Sequence, residues 1–91
     1  MADRIVKIES KDLRLFTSRL KQFNSDIDTS TARLKAQFRQ LGETWKDPQY
    51  IKFAQEFDQT MKNLQRFKQQ SEVVIPHLVK LATHIDNTPS L

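Results

Sequence analysis

The sequence predicts an all-α fold, an antiparallel hairpin of two long helices, from three observations. Ninety-one residues carry one glycine and three prolines, too little turn punctuation for a sheet protein with its repeated tight turns. Apolar residues recur at alternating spacings of three and four over two long stretches, the period of an amphipathic helix. Between those stretches, "LGETWKDPQY" gathers the only glycine, the only tryptophan and the only tyrosine of the chain.

A short extended arm over residues 1–9 precedes the hairpin, which is expected to span 10–86. In the first helix, about 11–41, Leu13, Phe16, Leu20, Phe23 and Ile27 set the pattern, and Leu34, Phe38, Leu41 and Trp45 resume it. Ser10 is the expected N-cap, with Asp12 in the first turn, and Gly42 falls where a left-handed C-terminal cap belongs. Thr29, Ser30 and Thr31 interrupt the stripe. They are either a weak spot that a long helix tolerates or a polar layer that fixes register.

The turn, about 42–47, is built by Gly42, Trp45, Asp47 and Pro48. Asp47 can cap free backbone amides, and proline at the first helical position sacrifices no hydrogen bond, so the second helix is expected over about 48–86. Its stripe runs Tyr50, Phe53, Phe57, Thr60, Leu64, Phe67, Ser71, Val74, Leu78, Leu81 and Ile85, with Ala54, Met61, Ile75 and Ala82 beside it. That stripe is wider than a simple two-stranded seam. Pro76 interrupts the helix without shifting the phase of the stripe, which predicts a kink there. Residues 87–91 form a frayed tail.

Short connection and long helices together force an antiparallel hairpin. One hairpin leaves part of each stripe in water, and two hairpins face to face cover both as a four-helix bundle. The predicted core and dimer residues are Leu13, Phe16, Leu20, Phe23, Leu34 and Phe38 on the first helix and Phe53, Phe57, Leu64, Phe67, Val74 and Leu78 on the second. Trp45 and Tyr50, at the tip, either cap the hairpin's end or enter a partner's groove. Asp12, Arg19, Asp26 and Arg33 recur every seven residues with alternating sign, a row able to set register between antiparallel helices.

Catalysis finds no support in the pattern. The chain has no cysteine, no glycine-rich phosphate loop and no legible pairing of nucleophile with base. His77 and His84 stand two turns apart on one face, about 10.5 Å by helical rise, too far for one metal. No cofactor is expected. The net charge of +4 arises wholly before Gly42, where nine Lys and Arg meet five Asp and Glu. That makes a basic, nucleic-acid-binding helical dimer the alternative reading, with Arg14, Lys21 and Lys35 on one stripe. Asp28 interrupts that stripe. No apolar run reaches the length of a signal peptide or a membrane span, so the chain is expected to be cytoplasmic and made without a cleaved leader.

Two long helices with Trp45 between them, and the segment "ETWKDPQYIKFAQEFDQTMKNLQRF", resemble the WXG-type, early-secreted-antigen-like proteins of type VII secretion. Within that superfamily the turn is similar to the proteobacterial branch with Trp-x-Asp in place of Trp-x-Gly, Asp47 standing at the glycine position. The opening "RIVKIESKDLRLF" is also similar to that branch. The resemblance implies a homodimer, or a heterodimer with a similar hairpin. Such a protein is exported by a signal-peptide-independent system or serves as adaptor for a larger effector. Secreted relatives carry Tyr-x-x-x-Asp/Glu after the second helix, whereas here Tyr50 is followed four residues on by Ala54.

Overall fold

In the computed structural model, which describes residues 8–88, two helices lie side by side: α1, Ser10–Thr44, and α2, Gln49–Asn87. At about 1.5 Å per residue they are rods of about 52 and 58 Å. The four-residue connection folds them back antiparallel. A compact chain of this length has a radius of gyration near 12 Å. This one has 20.5 Å, because two helices make one layer and enclose no third dimension.

The ends of α1 differ from the sequence expectation in two places. Glu9, in extended conformation, is the N-cap, and its carbonyl accepts from the amides of Asp12 and Leu13 at 3.1 and 3.3 Å. Ser10 is already helical, and its hydroxyl crosses to the Asp86 carboxylate at the end of α2. Gly42 is not a left-handed cap. No described residue has positive φ, and the helix continues to Thr44 before Trp45 turns extended with its amide on the Leu41 carbonyl at 2.9 Å. Glycine stands at position 42 because a Cβ there would lie 2.5 Å from the Tyr50 hydroxyl oxygen. The missing side chain is the seat of the tyrosine ring.

At the start of α2, the Asp47 carboxylate accepts from the Gln49 amide at 2.8 Å and its carbonyl from the Tyr50 amide at 2.9 Å. Pro48 already has helical dihedrals of −56° and −25°. The helix then runs through Pro76 without a break. Of the expected arm only residues 8 and 9 are described, and of the expected tail only residues 87 and 88.

The interior among the described residues is thin, and half of its buried side chains are polar. Ile27, Met61 and Ala82 are its buried apolar residues, accompanied by buried Thr17, Asn24 and Ser71. Thr17, Asn24, Thr31, Phe38 and Trp45 follow one another at heptad spacing along the face of α1 turned to α2. The α2 residues expected only to flank the seam, Ala54, Met61, Ile75 and Ala82, are among those that face α1. With so little apolar surface enclosed, the stability of a single hairpin is marginal.

Candidate functional site

The two wide faces of the hairpin are chemically unlike. On one, α1 presents Phe16, Phe23, Leu34 and Leu41 and α2 presents Phe53, Phe67, Val74 and Leu81, each between 42 and 56 % exposed. They are exposed because the inter-helix seam takes one edge of each apolar stripe and leaves the other edge outside. Half-buried Leu13, Leu20, Phe57, Leu64 and Leu78 line the boundary between seam and face. Phe23 and Phe67 meet edge to face across the helices at 5.9 Å, which joins the two rows into one surface. Two shallow grooves mark it. One of about 250 Å³ lies among Leu34, Leu41, Phe53 and Phe57, and one of about 210 Å³ among Phe23, Ile27, Leu34 and Leu64.

The opposite face carries the charge. An open cleft of about 390 Å³ at the waist is lined by Lys21, Asn24, Asp28, Lys68 and Glu72 together with Pro76. Lys68 sits there with only 17 % of its side chain exposed, bridged to Asp28 at 2.8 Å and to Glu72 at 3.6 Å. Its hydrogen bond to Asp28 holds the ammonium pKa above the usual lysine value. Beside it the Ser71 hydroxyl contacts Asn24 Oδ1 at 2.8 Å and the Lys68 carbonyl at 2.9 Å, while buried Asn24 Nδ2 has no partner among the described residues. A hydroxyl has one proton, so one of its two contacts must be an acceptor's role, and an amide turned to donate to Ser71 fills it.

At the open end, Arg14 bridges Asp86 at 2.8 Å and reaches Thr83 Oγ1 at 3.4 Å. Ser10 and then Arg14 hold the Asp86 carboxyl below its usual pKa. Arg14 and Lys68 are therefore engaged within the molecule, and acidic Asp28 and Asp58 line the same face as Lys21, Lys35 and Arg39. Among the described residues no continuous phosphate-binding track results, and the nucleic-acid alternative finds no support.

At the tip, Phe38 is the hub. Tyr50 stacks on it at 5.3 Å and Phe57 at 4.6 Å, with Phe53 tilted at 5.8 Å, and Trp45 abuts Tyr50 and Phe53 at 5.4 and 5.7 Å. Trp45 and Tyr50, half-buried, thus close the end of the hairpin against its own aromatics. Of the twelve expected core and dimer residues, Leu13, Leu20, Phe38, Phe57, Leu64 and Leu78 lie toward the seam, whereas Phe16, Phe23, Leu34, Phe53, Phe67 and Val74 point outward. Sequence reasoning missed Thr17, Asn24 and Lys68 as seam residues. Their heptad spacing was the available signal, hidden because the positions are polar.

Among the described residues no group of three or more His, Asp or Glu could hold a metal ion, and no helix is long and apolar enough to cross a membrane. No curated protein and no solved structure matches the chain significantly. The profile of WXG100, "Proteins of 100 residues with WXG", matches residues 5–88, both helices and the turn between them. The chain belongs to the WXG100 family, whose members are secretion-associated helical hairpins that typically form dimers.

Proposed function

We propose that this protein is a non-enzymatic interaction module that pairs through its apolar face into a four-helix bundle and acts in secretion as a substrate or as an adaptor for a larger partner. The exposed face of Phe16, Phe23, Leu34, Leu41, Phe53, Phe67, Val74 and Leu81 carries the reading. Eight such side chains at roughly half exposure offer on the order of 700 Å² per copy, close to the roughly 800 Å² that each partner of a standard interface contributes. Burying that apolar surface favours association, and it must outweigh roughly 4–15 kcal/mol of lost freedom of motion together with the ordering of interface side chains. A homodimer is the simplest occupant, and a similar hairpin from a second chain would cover the same face. In this reading the chain is of the proteobacterial variety of the family, and the Trp-x-Asp turn, Trp45 and Asp47, is what supports it.

Light scattering during size exclusion tests the pairing. A dimer that persists in high salt supports it, and Phe67→Asp should yield monomers with reduced helicity. A wild-type chain that is a well-folded monomer at tens of micromolar would sink the reading. Trp45→Ala tests the tip: loss of thermal stability assigns it to end-capping, and loss of partner capture at unchanged stability assigns it to a contact. Immunoblots of cells and culture medium separate a secreted substrate from a retained adaptor.

A further inference from the structure

We infer that a groove near the tip, on the polar face, binds an acidic peptide segment of another protein. The peptide's carboxylates meet Lys35 and Arg39, and an aliphatic side chain between them lies over Ala54. This names the chemistry of the partner in the adaptor reading above and rests on that reading, but it does not use the apolar face.

Two clefts open on the polar face, and their chemistry differs. The waist cleft is neutralised from within: Lys21 and Lys68 line it together with Asp28 and Glu72, and Lys68 is bridged to both carboxylates. The second, of about 430 Å³, lies between the helices near the tip. Lys35 and Arg39 stand one turn apart on its α1 rim, both exposed, and neither has an ion-pair partner among the described residues. Asp58, on the α2 rim, is held by Lys62 at 3.1 Å. The groove is left with uncompensated positive charge, which favours an anionic occupant.

The floor favours an anion for a separate reason. Tyr50 and Phe57 stand two turns apart on α2, and both stack on Phe38, at 5.3 and 4.6 Å. The Phe38 ring is thus covered on its faces, and Trp45 abuts Tyr50 at 5.4 Å. Such a stack presents chiefly ring edges, the positive part of the aromatic quadrupole, whereas a cation needs an open face. Ala54 falls between Tyr50 and Phe57 along α2, and with buried Met61 it leaves an apolar hollow that a larger side chain at 54 would fill.

Spacing selects a peptide. Lys35 and Arg39 are about 6 Å apart along the helix axis, close to the roughly 6.6 Å between alternate residues of an extended chain. Carboxylates at alternate positions therefore match the two cations, and the residue between them turns toward Ala54 and Met61. A nucleic-acid strand fits less well, because phosphates continuing along α1 meet Glu43 one turn beyond Arg39 and Asp28 two turns before Lys35.

The test is a titration of the isotope-labelled full-length protein with an end-blocked synthetic peptide in which a leucine stands between two aspartates. Amide signals of Lys35, Arg39, Tyr50 and Ala54 should shift, and those of the waist and the apolar face should not. Lys35→Glu combined with Arg39→Glu, both at exposed positions, should weaken binding about tenfold. The same peptide with lysines for aspartates should bind that variant better than the wild type. Ala54→Leu keeps both cations and fills the hollow, so it should also weaken binding; if circular dichroism shows that it misfolds, the charge-reversed variant decides. Shifts elsewhere or none, unchanged binding after charge reversal, or tighter binding of a short single-stranded DNA in the same groove would overturn the inference. Immunoblots of cells and medium keep the two readings apart. A retained protein that ignores the peptide removes the groove and leaves the adaptor, and an exported one that binds it removes the adaptor and leaves the groove.

Discussion

Gly42 shows how one side chain's absence organises a hairpin tip. Its place is filled by the Tyr50 ring, which in turn stacks on Phe38, so the glycine is fixed by contact and not by backbone conformation. Gly42→Ala should therefore lower the unfolding midpoint even though alanine favours a helix by about 1 kcal/mol. In a Tyr50→Ala background the same change should raise the midpoint, because the clash is gone and the helix preference remains. Thermal unfolding of the four proteins of that cycle measures it, and an unchanged sign would show that the tyrosine moves aside at little cost. Asn24 is a second such residue. Its amide and Ser71 form a polar layer that ties one height of α1 to one height of α2, one of the two roles that the sequence left open for Thr29, Ser30 and Thr31. The layer lies nearer the open end than expected, since Thr29 and Ser30 point to solvent and Thr31 alone turns partly inward.

At the scale of elements, the open end is where no covalent turn joins the helices. There Ser10 and Arg14 of α1 hold Asp86 of α2. A carboxyl whose folded pKa lies below its ordinary value of 3.8 contributes stability that is fully present above that value and is lost as pH falls through the folded one. Protection of the amides near Thr83 and Asp86 against hydrogen exchange, taken relative to the intrinsic rate at each pH, should therefore fall below about pH 4, ahead of the hairpin tip. In Asp86→Asn that protection should be low at every pH. Equal protection at both ends under acid would show that the open end does not depend on this carboxylate. Pro76 is the other feature of this scale. It removes the hydrogen bond to the Glu72 carbonyl within a continuous helix, so Pro76→Ala should raise the free energy of unfolding by up to about 3 kcal/mol, read from chemical denaturation. A loss of stability would mean that the surrounding packing is fitted to the proline ring.

For the whole molecule, the decisive property is how little one copy encloses. The accessible surface is 7486 Å², against about 5,500 Å² for a compact chain of this mass, and the apolar face accounts for much of what a partner would remove. If the core is shared between copies, unfolding is also dissociation. The thermal midpoint should then rise with protein concentration, by several degrees over a hundredfold range. A midpoint independent of concentration would place the stability within one hairpin.

The sequence by itself determined the two helices, their antiparallel return and the aromatic turn. Each follows from local facts: the three-four spacing of Leu13, Phe16, Leu20 and Phe23, the Asp47 and Pro48 start signal, and a connection too short for anything but a hairpin. It also contained the family, because the turn tryptophan and both helices lie within the matched span. Only the tertiary structure decided which edge of each stripe faces the sister helix. Periodicity gives the direction of an apolar stripe but not how a stripe wider than one seam is divided between two neighbours. The inter-helix seam took polar Thr17, Asn24 and Ser71 with small or flexible Ala82 and Met61, and left Phe16, Phe23, Phe53 and Phe67 outside. Small side chains let two helices approach closely, and that approach sets the large aromatics on the surface where another chain can reach them.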